Sequence, residues 1–222
     1  LILKNAGCEF IIFDMEHGGL SLEQFKILAA ISNANNIFPL IRIPEVSYNY
    51  IARALDLGAA GIMTPMVNKP EDAIKIVESS KYPPTGVRGA GFGFAHDKYH
   101  NVEPLNYITE ANDKLINIIQ IESKLGLENV YEIASVDGVD CLWVGHFDLT
   151  NFLGVPGDFN SNIYKDAIKR IVSAAKSFNK SLGIMVNSKE ELSIYKQLGF
   201  NMIAVGTEMN ILKQGVSNIL KP

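Results

Sequence analysis

The sequence predicts an α/β chain folded as a (β/α)8 TIM barrel, and three observations carry that prediction. Seven short apolar runs, at 10–13, 38–43, 61–64, 115–121, 141–144, 182–186 and 202–205, each close on polar or charged residues. They are continuously apolar instead of alternating, as parallel strands covered on both faces require, and amphipathic segments lie between them. Two joints repeat a phrase, Leu57-Gly58-Ala59-Ala60-Gly61-Ile62-Met63 and Leu198-Gly199-Phe200-Asn201-Met202-Ile203, in which a helix ends in Leu-Gly and a strand follows within a few residues. Gly suits the left-handed position just past a helix, so the phrase marks a repeating helix-Gly-strand unit. Finally, the 222 residues, 47% of them hydrophobic, suit one barrel, for which about 250 residues is typical.

Taken in order, 1–7 reads as the end of a helix feeding the strand at 10–13. Seven runs are one short of eight, and the missing strand is expected before Leu1, which is not a Met. The expectation is therefore a single barrel domain over 1–222, truncated at its N-terminus. Helical patterns follow at 21–32, 70–79, 164–177 and 189–198, several opened by Ser, Asn or Pro in cap positions. The stretch 81–113 interrupts the rhythm and reads as a long loop, headed by Tyr82-Pro83-Pro84-Thr85-Gly86-Val87-Arg88-Gly89. Loops of this length in compact domains are usually functional, and Gly89, Gly91 and Gly93 lack the spacing of a dinucleotide-binding turn. His96 and His100 read as surface or lid residues.

Composition removes several function classes. Twenty Lys and Arg against 24 Asp and Glu give a net charge of −4 with no basic run, which argues against a nucleic-acid partner. Cys8 and Cys141 stand far apart and form neither a disulfide framework nor a zinc motif, so a reducing, cytoplasmic setting is expected. No apolar stretch reaches the roughly 18 residues of a membrane span, and the start lacks the layout of a signal peptide.

In a (β/α)8 barrel the chemistry sits at the C-terminal ends of the strands, so the polar residues closing each run are the candidates. Glu122 and Asp148 follow adjacent strands. Two carboxylates side by side repel unless a cation lies between them, and hard oxygen ligands favour Mg2+ or Mn2+; the alternative is that each only caps the following helix. His146 is the one nitrogen ligand nearby. His17 lies three residues after Asp14 at a strand-to-loop junction, close enough for the carboxylate to orient the imidazole as a general base. Arg42 ends an apolar strand and needs an anionic partner, either a substrate carboxylate or developing enolate, or Asp14 or Glu16. Backbone N–H groups at 145–150 suit an anion. Lys4, Lys69 and Lys124 end no strand, which disfavours Schiff-base chemistry.

Six motifs stand in one order: Asp14-Met15-Glu16-His17-Gly18, Pro39-Leu40-Ile41-Arg42, Thr64-Pro65-Met66-Val67, the Tyr82 to Gly89 phrase, Gln120-Ile121-Glu122 and Gly145-His146-Phe147-Asp148-Leu149. In order and spacing the chain resembles the HpcH/HpaI aldolases, metal-dependent class II 2-keto-acid aldolases of the 4-hydroxy-2-oxoheptanedioate aldolase kind. The resemblance implies cleavage of a 4-hydroxy-2-oxo acid to pyruvate and an aldehyde. It implies Glu122 and Asp148 as ligands of Mg2+ or Mn2+, with Co2+ a further candidate. It also implies His17 as base with Asp14 as its orienting partner, Arg42 as the group stabilising the enolate, and Gln120, Phe147 and Asp148 as pyruvate-binding positions. Asp56 matches a further catalytic aspartate, although a residue at a helix end just before a strand belongs at the opposite end of its own barrel and would act across a subunit interface. A homo-oligomer, a hexamer by the same resemblance, is expected. The family commonly carries Pro at position 146 and a small residue at 147, so His146 and Phe147 bear on the aldehyde pocket. A citrate-lyase-like or malyl-CoA-lyase-like enzyme and a non-catalytic acid-binding barrel are the alternatives.

Overall fold

The β-branched and apolar runs form seven parallel strands hydrogen-bonded in sequence order: β1 (Phe10–Asp14), β2 (Phe38–Arg42), β3 (Gly61–Thr64), β4 (Ile116–Ile121), β5 (Cys141–Val144), β6 (Ser181–Val186) and β7 (Met202–Val205). The computed structural model describes residues 1–220. A short helix, α1 (Ile2–Asn5), precedes β1, and the crossovers are α2 (Leu22–Ala34), α3 (Tyr48–Asp56), α4 (Pro70–Ser80), α5 (Pro104–Lys114), α6 (Lys124–Glu128), α7 (Val130–Ser135), α8 (His146–Phe152), α9 (Asn162–Ser177), α10 (Lys189–Leu198) and α11 (Glu208–Leu220). The strands make a nearly closed barrel; among the described residues there is no eighth strand, and β1 and β7 each pair on one side only.

Local chemistry explains the boundaries. Ser21 opens α2 with a capping box closed by Gln24, an arrangement worth about 1 kcal/mol. Gly58 and Gly199 take φ of 101° and 100°, the left-handed stop predicted from the repeated joints. The loop expected over 81–113 is corrected in its second half. Glu103 accepts from the backbone N–H groups of Leu105 and Asn106, and Pro104 takes the first helical position, so α5 begins there.

Side chains alternate across each strand and sort into two layers. The outward layer, including Ile41, Ile62, Ile119, Leu142 and Ile184, packs on Phe25, Ile51, Leu55, Ile76, Ile133 and Ile171 of the helices. The inward layer, Leu40, Met63, Ile118, Cys141 and Trp143, fills the lumen. Gly183 is required there, because a Cβ at that position would overlap the Trp143 ring. Period two then carries the inward face from Ile12 to Asp14, from Leu40 to Arg42, from Ile118 to Gln120 and Glu122, and from Trp143 to Gly145, all at one mouth.

Candidate active site

The mouth is built on the register of β1 and β2, which sets Asp14 opposite Arg42. Asp14 accepts from Arg42 Nε at 2.8 Å and Nη2 at 2.6 Å, a bidentate pair, and Glu16 Oε2 lies 2.9 Å from Nη1. Burial pushes the Asp14 carboxyl up, but the Arg42 bonds outweigh it and hold Asp14 below the usual range; burial acts against Arg42 in the same way and the Asp14 bonds raise it. Arg42 thus pairs with both carboxylates that the sequence offered.

One expectation is corrected. Asp14 does not orient the His17 imidazole: its oxygens go to Arg42, and Oδ1 also accepts the backbone N–H groups of Glu16 (2.9 Å) and His17 (3.3 Å). A fixed guanidinium charge competes for a carboxylate better than an imidazole does. The His17 side chain is 67% exposed and approaches Glu16 instead, with Nε2 3.9 Å from Oε2.

Glu122 sits across the mouth, 2% exposed. Met66 donates its backbone N–H to Oε1 at 2.7 Å, and the Gln120 amide donates to Oε2. Met66 has φ of 53°, an uncommon conformation for a bulky residue, and this turn after β3 delivers its N–H to Glu122. Gly145 completes the cradle, since a Cβ there would strike the Glu122 carboxylate and the Gln120 amide. Burial, only partly offset by the Met66 donor and reinforced by Glu16 and Asp148, pushes Glu122 up to about 7. Burial also raises Glu16 despite Arg42 and His17.

Asp148 stands in the first turn of α8, directly after β5, the neighbour of β4. Among the described residues no three His, Cys, Asp or Glu side chains converge as metal ligands, so the candidate donor set is Glu122 and Asp148. These two fit a hard divalent cation on the chemistry of this mouth: the buried Glu122 is driven toward protonation by burial and by other carboxylates, and Gln120 Oε1 is a buried acceptor without a partner among the described residues. His146 does not join them. Its ring is buried against Phe147 and Phe159, at centroid distances of 4.6 and 5.1 Å. Phe147 itself is exposed and, with Met185 and Asn187, borders a groove reaching α11.

Asp56 lies elsewhere. It ends α3 at the opposite end of the barrel and binds Arg88 at 2.6 Å, with Arg88 stacked 4.5 Å over the Tyr82 ring. His96, expected at the surface, is half-buried, contacting the Tyr107 hydroxyl at 2.6 Å and the Gly91 carbonyl at 2.9 Å.

A model of the HpcH/HpaI aldolase/citrate lyase family matches residues 2–214. The chain belongs to the HpcH/HpaI family. As a member it is a carbon–carbon lyase of the aldolase kind, and among its relatives a hydroxypyruvate/pyruvate aldolase of Deinococcus radiodurans is 35% identical over 98% of this chain and 78% of its own length. A 5-keto-4-deoxy-D-glucarate aldolase of an Enterobacter species is 29% identical over 98% of this chain and 84% of its own. The crystal structure of an HpcH/HpaI aldolase from Desulfitobacterium hafniense superposes with a TM-score of 0.94 at 27% identity, covering 100% of this chain and 87% of that one. Among the described residues no helix is long and apolar enough to cross a membrane.

Two contributors at the HpcH/HpaI mouth carried no role in the sequence reading. Met66 belongs to a quoted motif, but a backbone donor has no side-chain signature. Glu16 was weighed only as an alternative partner of Arg42.

Proposed function

We propose that the protein cleaves a 4-hydroxy-2-oxo acid reversibly to pyruvate and an aldehyde at the mouth formed by Asp14, His17, Arg42, Gln120, Glu122 and Asp148. The observation that supports this most is the imbalance of charge: Asp14, Glu16 and Glu122 act on Arg42 and Asp148 on Glu16 and Glu122, with Glu122 buried and no second arginine or lysine at the mouth among the described residues. Mg2+ or Mn2+ held by Glu122 and Asp148 would supply a Lewis acid that favours the enolate of the 2-oxo acid. Arg42 donates Nε–H and an Nη2–H to Asp14 and forms an ion pair with Glu16 through Nη1, and its remaining N–H groups can face the oxygen on which negative charge develops.

In the cleavage direction the proton of the C4 hydroxyl passes to His17, the C3–C4 bond breaks, and its electron pair forms the enolate as the aldehyde leaves. A proton returned to C3 completes pyruvate. Asp14 holds Arg42 and folds the 14–17 turn, while Gln120 fixes Glu122. The exposed Phe147 ring and the Asp148 backbone border the space left for pyruvate and the aldehyde. Asp56, at the far end of its own barrel, serves a neighbouring copy in a homo-oligomer. The setting is cytoplasmic, in keeping with two free cysteines.

The test is proton NMR of pyruvate in D2O with Mg2+ or Mn2+, and again with a chelator. Metal-dependent loss of the methyl signal is the expected result. A folded protein that leaves the methyl protons in place under all conditions overturns the reading.

A further inference from the structure

We infer that Lys213 of α11 selects the aldehyde: the groove beside Phe147 takes an aldehyde whose far end is an anionic group, a carboxylate or a phosphate, and Lys213 binds that group. The inference deepens the aldolase reading above and rests on it. The groove holds about 380 Å3, within the roughly 300–1,000 Å3 of sites that enclose small ligands. It adjoins the mouth, because Phe147 directly precedes Asp148 and Met185 packs on the inward layer of the barrel. The start of α11 is fixed there too. Gly206, with φ of 58°, follows β7 and donates its N–H to the Val186 carbonyl at 2.9 Å, and a Cβ on it would come within 3.7 Å of Asn187 Oδ1. This turn holds the beginning of α11 against the end of β6.

The face that α11 turns to the groove is the second observation. Asn210, Lys213, Gln214, Ser217 and Asn218 recur at the spacing of one helical face and line the groove, whereas Met209, Leu212, Val216 and Ile219 form an exposed apolar stripe. A helix that only packed on its own barrel would turn the apolar stripe inward. Here the barrel is offered amides, a hydroxyl and one ammonium. Lys213 is the charged residue in that lining, and among the described residues it forms no ion pair. The Glu191 carboxylate of the adjoining α10 accepts the Asn187 backbone N–H at 2.7 Å and does not line the groove. The mouth next to the groove has the opposite sign, with Asp14, Glu16, Glu122 and Asp148 against Arg42. Those carboxylates repel an acidic aldehyde. A cation in the adjoining groove offsets the repulsion and turns the aldehyde carbonyl toward the enolate.

The test is condensation of pyruvate with two pairs of aldehydes: succinic semialdehyde against neutral pentanal, and glyceraldehyde 3-phosphate against neutral glyceraldehyde. The wild type is expected to favour the anionic member of at least one pair by about tenfold to a hundredfold in kcat/KM, the scale of a hydrogen bond to a charged group. The pair that shows the preference identifies the anion. Lys213→Met is expected to bring that ratio to about one, and Lys213→Arg to keep it, since the charge and donors remain. Each ratio is taken within one protein, so a general loss of activity does not move it. Circular dichroism and Tm confirm that each variant folds. A wild type without preference in either pair, or a preference that survives in Lys213→Met, overturns the inference. When the wild type exchanges the pyruvate methyl protons in D2O, such a result overturns this inference only; absence of exchange fails the aldolase reading and this inference with it.

Discussion

The two ends of this barrel carry the same pair of residue types and put them to different uses. At the C-terminal mouth Arg42 meets Asp14 with Glu16, Glu122 and Asp148 close by, and among the described residues no second arginine or lysine answers them. At the opposite end Arg88 meets Asp56 one to one, 5% exposed and stacked on Tyr82. Within one chain this Arg–Asp pair beside an aromatic ring is balanced in charge. A mouth with four carboxylates for one arginine leaves negative charge unanswered, which the proposed Mg2+ or Mn2+ would supply. The difference teaches that charge left over, more than residue type, marks the functional end.

The sharpest way to break that comparison is Glu122→Gln, which removes the buried one of the unanswered charges. Metal-dependent exchange of the pyruvate methyl is expected to fall to background while the fold persists. The same variant reports on stability. Glu122 titrates near 7 when folded against 4.5 for an unperturbed Glu, so the folded state holds the proton more tightly. The stabilisation is complete below about pH 4.5 and is lost as pH rises toward 7, by about 3 kcal/mol in the metal-free protein. Thermal melts in chelator should therefore show the wild type losing Tm across that window relative to Glu122→Gln; parallel curves would remove Glu122 from the argument.

His17→Ala is expected to slow cleavage by about a hundredfold or more, with divalent-metal binding unchanged in a calorimetric titration. Arg42→Lys follows, at about tenfold to a hundredfold, because an ammonium cannot reproduce the planar fork that holds Asp14 in two places and pairs with Glu16. Full activity of the lysine variant would reduce Arg42 to the structural status of Arg88. The smallest effect tests the far end. Asp56→Asn and His17→Ala chains, each impaired alone, are expected on mixing and subunit exchange to regain about a quarter of wild-type rate if Asp56 serves a neighbouring copy. No recovery would return Asp56 wholly to its pairing with Arg88.

Much of this mouth was legible in the sequence because a parallel barrel makes one rule: what closes an apolar run lands at the same end. Asp14, Arg42, Gln120, Glu122 and Asp148 all follow from it. That Asp14 does not meet the His17 imidazole was not legible, because proximity along the chain suggested the pair, whereas the cross-strand register delivers a guanidinium to that carboxylate first. Met66 stayed invisible for a different reason, since its contribution comes from a φ of 53° and a main-chain N–H that any residue possesses. Helix α5 was missed because the glycine-rich head of the 81–113 stretch masked the Glu103-Pro104 start signal behind it.

Trp143 lies across the lumen below Gly145, with Gly183 giving it room and Leu40, Met63 and Ile118 sealing around it. The lumen below the mouth is therefore filled by side chains. On the proposed reaction, a keto acid held against that floor is expected to arrive before the aldehyde and depart after it. The order of traffic is written into the floor of the barrel, and initial-rate patterns in the condensation direction should be sequential with pyruvate leading.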